Sequence, residues 1–467
     1  MASRLNSMRI NLPCVGQSYQ HPDVPLSAQT TKNWFPEINT ETTVILSLQP
    51  FPGAKAFSAG TGVDRGMTVW QQQLYKVTDT TLYRIDVLGA QTSIGTIDGT
   101  GRCTFPSSTD FMVIVSSGKA YKFDGTTLTE ITDVDLEQPK YGTYLNLQWI
   151  YQGAKARFAV SDVAQPDQIN GLNYASAESE GDDLVRPYVF NQVLYLFGER
   201  NIEPWYNSGV GRPPFDRIDG GIVQKGLGAA DSVSSNDTFM YFLGDDRYIY
   251  QMTTSNVQSI SSIPLASKFA EYDSIDGAVG FCFSYQGQQF YQLTVGGDTW
   301  CYNQNAGGWF ELTYGSNELP QPTTGAINCY GKLLIAKGGK VLEVDRETET
   351  YDGEPLIRER TSGLISGDLF QTPDAIGRRL FMHRLDIVIK GIPAINERPK
   401  IMLSWSDDAG FTFSNERIIQ CGELGNYTFQ AKTEQLGSFF QRVIKIRISD
   451  DSRYSLHRVT GDIDIGT

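Results

Sequence analysis

The sequence predicts an all-β chain: a β-propeller of six to seven blades with an extended N-terminal arm and a C-terminal β-sandwich. Short strands rich in Tyr, Phe, Leu and Val recur through the middle of the chain at roughly 36 to 48 residues, the period of a four-stranded blade. Gly, Asn and Asp stand between these strands, where tight hairpins need positive φ. Beyond residue 352 the strands lengthen and alternate apolar with charged side chains, the pattern of a sheet with one buried and one wet face.

Residues 1–56 read as the arm. Pro13, Pro22, Pro25, Pro36, Pro50 and Pro52 interrupt any regular ladder, so an extended segment lying on a surface is expected. Residues 57–351 read as the propeller. Its clearest unit is Leu74-Tyr75-Lys76-Val77, a turn at Asp79-Thr80, then Leu82-Tyr83-Arg84-Ile85. Similar units centre on 111–123, 147–160, 189–206, 239–252, 281–302 and 329–344. Turns are expected at Asp124-Gly125, Gly244-Asp245-Asp246, Gly296-Gly297-Asp298 and Gly338-Gly339. A repeat of this kind cannot bury both faces alone and must stack on neighbours. Helix signals are few: Pro264–Tyr272 could place Leu265, Phe269 and Tyr272 on one face, and a weaker candidate lies near Asp374–Leu380. Residues 352–467 read as a sandwich of five to seven strands, including 384–389, 400–405 and 443–448.

Composition bounds the function. Hydrophobic residues at 40% and charged residues at 20% describe a folded chain. The 23 Tyr, 24 Phe and 46 Gly suit many short strands and tight turns. A net charge of −14 argues against a nucleic-acid clamp, since counterion release needs basic surface. The first fourteen residues lack the apolar core of a signal peptide, and no apolar run is long enough to span a membrane. Six cysteines at 14, 103, 282, 301, 329 and 421 include no CxxC pair and are expected as reduced core residues. His21, His383 and His457 stand apart, so neither a metal centre nor a His-based nucleophile is expected. No cofactor motif and no catalytic residue is identified.

Ser406-Asp407-Asp408-Ala409-Gly410-Phe411-Thr412-Phe413 matches an Asp box. In such a hairpin the carboxylate of Asp408 accepts turn amides, Gly410 takes a backbone shape other residues resist, and Phe413 pins the turn. Ser406 and Thr412 complete the motif. Sialidases repeat this box and add an arginine cluster with a tyrosine nucleophile, so the single copy reads as structural. The pairs Asp182-Asp183, Asp245-Asp246 and Asp450-Asp451 read as solvated turn residues. Arg378-Arg379 and the strand residues Lys445 and Arg447 are candidate contacts for an acidic partner, weighed against an ordinary solvated strand face.

Three stretches together resemble the tail hub or nozzle proteins of short-tailed phages, also called packaged-DNA stabilisation or head-completion proteins. The first is Asn33-Trp34-Phe35-Pro36-Glu37, then Pro50-Phe51-Pro52-Gly53 and Asp64-Arg65-Gly66. The second runs from Ile260 to Leu312 and includes Thr299-Trp300-Cys301-Tyr302 and Gly308-Trp309-Phe310-Glu311; Asn303 stands where the family often carries Asp. The third is Leu403-Ser404-Trp405-Ser406-Asp407-Asp408-Ala409-Gly410. The resemblance implies a non-enzymatic virion subunit in a homo-oligomeric, hexameric ring below a portal-adaptor ring. Such a ring carries tailspikes and a needle or plug, retains DNA as transiting cargo and is assembled in the host bacterial cytoplasm. The rival reading is a host-glycan or receptor-binding, sialidase-like virion propeller; a generic cytosolic scaffold is a third. Trp300 and Trp309 flank a hairpin and are expected between blades. Trp309→Ala is therefore expected to cost roughly 3–5 kcal/mol; a thermal shift indistinguishable from wild type would place that ring on the surface.

Overall fold

The period-two strands pair antiparallel within successive three- and four-stranded blades, and those blades form a ring. The computed structural model describes residues 8–16, 24–25, 28–38, 46–177, 181–254, 256–370, 375–392, 400–421, 428–450 and 453–466. Six blades are built from contiguous chain. Blade 1 is Asp64–Trp70, Gln73–Thr78, Thr81–Ile85 and Gln91–Thr96. Blade 2 is Met112–Ser116, Lys119–Phe123 and Leu128–Glu130, with the bridges Thr104↔Val115 and Ser107↔Met112 along its inner edge. Blades 3, 4, 5 and 6 begin at Gly142–Leu145, Leu184–Phe190, Ser234–Ser235 and Val279–Tyr285. Blade 6 ends on Asp298–Asn303 and Gly308–Glu311. A composite sheet closes the ring: Gly325–Cys329, Lys332–Lys337 and Lys340–Asp345 accept Gly53–Ser58 from the N-terminal segment as their fourth strand.

Aromatic and branched side chains fill the spaces between neighbouring sheets. Trp70, Tyr75 and Phe123 pack between blades 1 and 2, and Phe197, Phe242 and Tyr250 between blades 4 and 5. Trp300 and Trp309, 2% and 4% exposed, lie between blades 5 and 6 with Tyr241 and Tyr291. Trp309 Nε1 donates to the Ile260 carbonyl at 2.8 Å, and Trp300 Nε1 to Tyr272 Oη at 3.1 Å, so each buried indole N–H has an acceptor.

The first hairpin turns of several sheets share one conformation. Positive φ occurs at both turn residues of Gln71-Gln72, Ser117-Gly118, Asn146-Leu147, Asn191-Gln192, Gln286-Gly287 and Tyr330-Gly331. That pair of angles is the primed turn whose twist matches the flanking strands. The predicted helix is observed as Ile263–Ala270, capped by Ser262, whose hydroxyl accepts from Leu265 N, with Leu265, Ala266 and Phe269 buried. The second helix candidate is not α-helical. Asp374 lies outside the described residues, 375–379 form a turn, and Leu380 opens the long strand Leu380–Ile392.

The sandwich contains more strands than the five to seven expected from the tail alone, because the N-terminal segment supplies several. One sheet runs Trp34–Ile38, Leu46–Pro50, Arg453–Ile465, Leu380–Ile392 and Thr428–Glu434, with Met8–Asn11 on Arg453–Ile465. The other carries Arg358–Thr361, Gln441–Ile448, Lys400–Ser406 and Arg417–Gln420. The described parts of the N-terminal segment are therefore extended, but they join the sheets as strands instead of lying over them as a separate arm. Pro36 is accommodated because its strand is the outermost of its sheet, where a missing N–H leaves no ladder bond broken.

Where the ring closes, Lys76 of blade 1 and Asp64 pair at 2.5 Å with side chains 1% and 0% exposed. Lys76 Nζ also donates to the Lys340 carbonyl at 2.9 Å, and Gly339 N donates to Asp64 Oδ1 at 3.0 Å. Burial pushes the Lys76 ammonium below its ordinary range, and Asp64 offsets only part of that shift. Asp64→Asn is expected to cost about 3–5 kcal/mol by leaving Lys76 buried and unpaired. Asp64→Asn combined with Lys76→Met should cost less than Asp64→Asn alone in denaturant unfolding; strictly additive losses would mean that the pair is not coupled.

Candidate functional site

The first resemblance stretch forms the seam between ring and sandwich. Thr31–Lys32 pairs in parallel with Gly308–Glu311 of blade 6 on one side and antiparallel with Arg358–Thr361 of the sandwich on the other, so one hydrogen-bonded sheet runs through both. Asn33 then turns the chain at φ 56° while fully buried. Its amide donates to the Ile357 carbonyl at 2.7 Å and to Thr313 Oγ1 at 3.1 Å, and its Oδ1 accepts from Thr313 N at 3.0 Å. Its own N–H reaches the Glu311 carbonyl, and its carbonyl accepts from Phe51 N, both at 2.9 Å. An Asx side chain tolerates this left-handed backbone and supplies both donor and acceptor, which explains its place here.

The next residues point alternately into the two halves. Trp34 is buried in the sandwich core, where its Nε1 donates to the Tyr454 carbonyl at 2.8 Å. Phe35 enters the propeller core, edge-on to Phe290 at 5.3 Å and to Phe51 at 6.5 Å. The Pro36 carbonyl accepts from Asn303 Nδ2 at 2.9 Å, a bond that an ionised carboxylate at 303 could not donate. Glu37, partly exposed, lines a cavity of about 230 Å³ with Phe51, Pro52, Arg346 and Arg453. Gly53 N donates to the Thr348 carbonyl, and a Cβ on Gly53 would fall 2.4 Å from the carbonyl oxygens of Thr348 and Thr350. Only glycine permits that approach.

Charge reinforces the seam. Lys32 pairs with Glu318 at 2.7 Å, and Arg447 of the sandwich pairs with the same carboxylate. Burial works against the Lys32 ammonium, but Glu359, Glu318 and Glu311 outweigh it and raise its pKa. Burial likewise opposes ionisation of Glu318, and Lys32 and Arg447 overcome it and lower that pKa. The lysine's contribution is present below its unfolded pKa and lost as pH rises through the raised folded value. The glutamate's is present above its unfolded pKa and lost as pH falls through the lowered one, so the seam is strongest between those limits. Lys445 and Arg447 are neither free for an acidic partner nor a plainly solvated face: both approach Glu359, at 3.9 and 3.6 Å. Arg378 and Arg379 are exposed, and Arg379 stands over the Phe440 ring.

Arg65 anchors blade 1 to the entry of blade 2. Its buried guanidinium donates to the carbonyls of Gly101, Asp79, Ile97 and Asp98 and to Ser116 Oγ, all within 3.0 Å. Gly66 follows it in the strand, against the Phe105 ring. The Asp-box residues form one hairpin. Asp408 accepts from Ser406 Oγ at 2.6 Å, from Thr412 N at 2.9 Å and from Thr412 Oγ1 at 2.5 Å, bonds that hold its carboxyl down at about 2. Gly410, at φ 99°, would carry a Cβ 2.5 Å from Ala28, which packs the turn onto the N-terminal segment. Phe413 joins Val24, Ala28 and Val443, with Lys445 Nζ 3.9 Å above its ring. Asp407 beside the box holds the buried Arg442 through two bonds of 2.6 and 2.8 Å.

The remaining polar candidates are not brought together. Asp182 accepts from Arg200 N, Asp245 from Gly226 N and Asp450 from Lys400 N, while Asp183 is exposed and Asp451 lies outside the described residues. His383 pairs with Asp464 at 2.8 Å, His457 contacts Ser455, and His21 lies outside the described residues. All six cysteines are free; burial pushes Cys103 up to about 11 and Cys14 up to about 12. Among the described residues no group of three or more His, Cys, Asp or Glu side chains is placed to hold a metal ion, and no helix is long and apolar enough to cross a membrane.

Asn33→Ala removes the side-chain partners of Thr313 N and the Ile357 carbonyl and leaves alanine at positive φ. It is expected to cost about 2–4 kcal/mol. Denaturant unfolding checks this; a loss below about 1 kcal/mol would mean that water or a shifted backbone replaces those bonds.

Comparison with known proteins follows the same division of the chain. A family model described as bacteriophage P22 Gp10, β-propeller, matches residues 8–345, and one described as bacteriophage P22 Gp10, β-sandwich, matches residues 372–464. No curated protein matches. Among solved structures, the Neurospora crassa Pan2 WD40 domain is similar at 9% identity and a TM-score of 0.40, over 61% of this chain and 89% of that one. BamB from Moraxella catarrhalis is similar at 9% identity and a TM-score of 0.39, over 73% of this chain and 97% of that one. With one family model spanning the ring and the other the sandwich, the chain belongs to the bacteriophage P22 Gp10 family of packaged-DNA stabilisation proteins and is a structural protein of a phage tail.

Proposed function

We propose that this chain is the hub, or nozzle, subunit of a short phage tail. Six copies form a ring below the portal-adaptor, continue the DNA channel, retain packaged DNA and offer attachment to tailspikes and a needle or plug. Assembly takes place in the host bacterial cytoplasm. The observation that carries this reading is the pair of consecutive family matches, which together account for both structural halves. The seam supports it physically. A subunit that retains packaged DNA is served by domains that do not flex, and the sheet through Thr31–Lys32 with the Lys32–Glu318–Arg447 charges joins propeller and sandwich into one body. The net charge of −14 suits a conduit through which DNA slides without sticking.

The role requires no bond chemistry, and no catalytic residue or cofactor is proposed. Electron microscopy of particles produced without this gene tests the reading. Heads that package DNA but lack tails and lose their contents are the expected result. Filled, tailed particles that only fail to adsorb would replace the hub with a receptor-binding, glycan-recognising propeller.

A further inference from the structure

Several segments that feed separate sheets converge where the inner strands begin. Arg102 precedes blade 2, Tyr141 precedes Gly142–Leu145, Arg186 lies in Leu184–Phe190, Asp231 precedes Ser234–Ser235, and Thr324 precedes Gly325–Cys329. Arg102 Nη2 donates to the Thr324 carbonyl at 2.8 Å, which brings a residue from the entry of blade 2 against the closing sheet. Arg186 Nη1 donates to the Ala230 carbonyl at 2.7 Å and stands 3.7 Å from Asp231 Oδ1. The rings of Tyr141 and Tyr188 flank the same guanidinium, at 5.1 and 5.6 Å.

The charges at this point do not balance. Arg102 and Arg186 each feel the other and Asp231, so two guanidiniums share one carboxylate. Burial, first, and Arg186 push Arg102 below its ordinary range, while Asp231 opposes the shift. Each guanidinium has five N–H donors, and the hydrogen bonds described engage one from each. Arg186 Nε is enclosed without an acceptor. A cavity of about 830 Å³, lined in part by Lys140, Tyr141, Gln152, Lys155, Leu184 and Ala230, opens beside the cluster. Its wall also carries Glu137, Asp183 and Glu199 and neither guanidinium, so an anion is favoured only beside Arg186, which stands against Tyr141 and Ala230 of that wall.

We propose that this cluster at the propeller axis binds a small oxyanion of phosphate or sulfate type, with Arg102 and Arg186 donating from two sides. The anion neutralises the unmatched cation, and its oxygens accept from the guanidinium donors the chain leaves open. Because it joins the entry of blade 2 to blade 4, occupancy stabilises the closed ring by mass action.

The test uses the full chain. Thermal unfolding is followed while inorganic phosphate replaces chloride at constant ionic strength, and the phosphorus-31 line width of phosphate is recorded as protein is added. A saturable rise in Tm of several degrees and a broadened phosphate line are expected, both lost in Arg186→Gln and Arg102→Gln and kept in Arg378→Gln. No broadening with wild type overturns the proposal, as does a rise in Tm that persists in both cluster variants, which is the behaviour of a salt acting on the whole surface. If Arg186→Gln fails to fold, Arg102→Gln and the wild-type line width still decide. Broadening by a short single-stranded oligonucleotide with none by phosphate would also overturn it, since the cluster would then read a nucleic-acid backbone.

Discussion

The two-residue strand Thr31–Lys32 is the constraint on which the rest of the molecule depends. It has the last strand of blade 6 on one side and a sandwich strand on the other, so the two halves share one ladder. The residues that follow act on each half in turn: Asn33 fixes the turn, Trp34 fills the sandwich and Phe35 fills the propeller. A side chain that alternates between two cores fixes their relative rotation as well as their distance, because any twist would withdraw one ring from its packing. The ion pairs of Lys32, Glu318 and Arg447 act on the same seam, and their partial burial makes them less sensitive to salt than surface pairs.

The ring itself is fixed by different means at different joints. Most joints are apolar, with Trp, Tyr and Phe from adjacent sheets interleaved and their indole N–H groups given to backbone carbonyls, to a tyrosine hydroxyl or, at Trp205, to the Glu203 carboxylate. The closing joint adds Lys76 and Asp64 to its apolar side chains. A buried pair of this kind contributes little net stability but penalises wrong partners strongly, since either charge left alone in the core is costly. Placing it where the two ends of the ring meet restricts closure to the correct register. Arg65 works similarly one joint on, with its donors spent on carbonyls that only the folded loop before blade 2 presents.

The repeat and the sandwich strands were legible in the sequence because alternation is local: a one-residue slip would turn every side chain to the wrong face. The helix at 263–270 was legible from Pro264 and its apolar spacing. Turns carrying glycine, such as Gly296-Gly297 and Gly338-Gly339, could be read, whereas Gln71-Gln72 and Asn191-Gln192 take the same positive φ without it. There the twist of the paired strands overrides residue preference, and nothing local signals it. The N-terminal segment was legible as extended but not as woven into both halves, since its partners lie hundreds of residues away. Resemblance marked Asn33, Trp34, Arg65 and the tryptophans of blade 6. Their tasks became readable only with the seam and the joints in place, and the arginine cluster at the axis left no local trace, because its members meet only in the closed ring.

Gly53–Ser58 pairs with the strand ending at Asp345, and Met8–Asn11 pairs with residues near Ile463. These segments can therefore pair only after the much later strands they lie against have been made. Contacts so distant in sequence close slowly, and a nascent chain holding only its early blades keeps an unpaired edge open. Without Arg453–Ile465, Met8–Asn11 has no strand to pair with. The topology therefore acts as a length check: a chain that stops before Arg453–Ile465 has no Tyr454 carbonyl to receive the Trp34 indole.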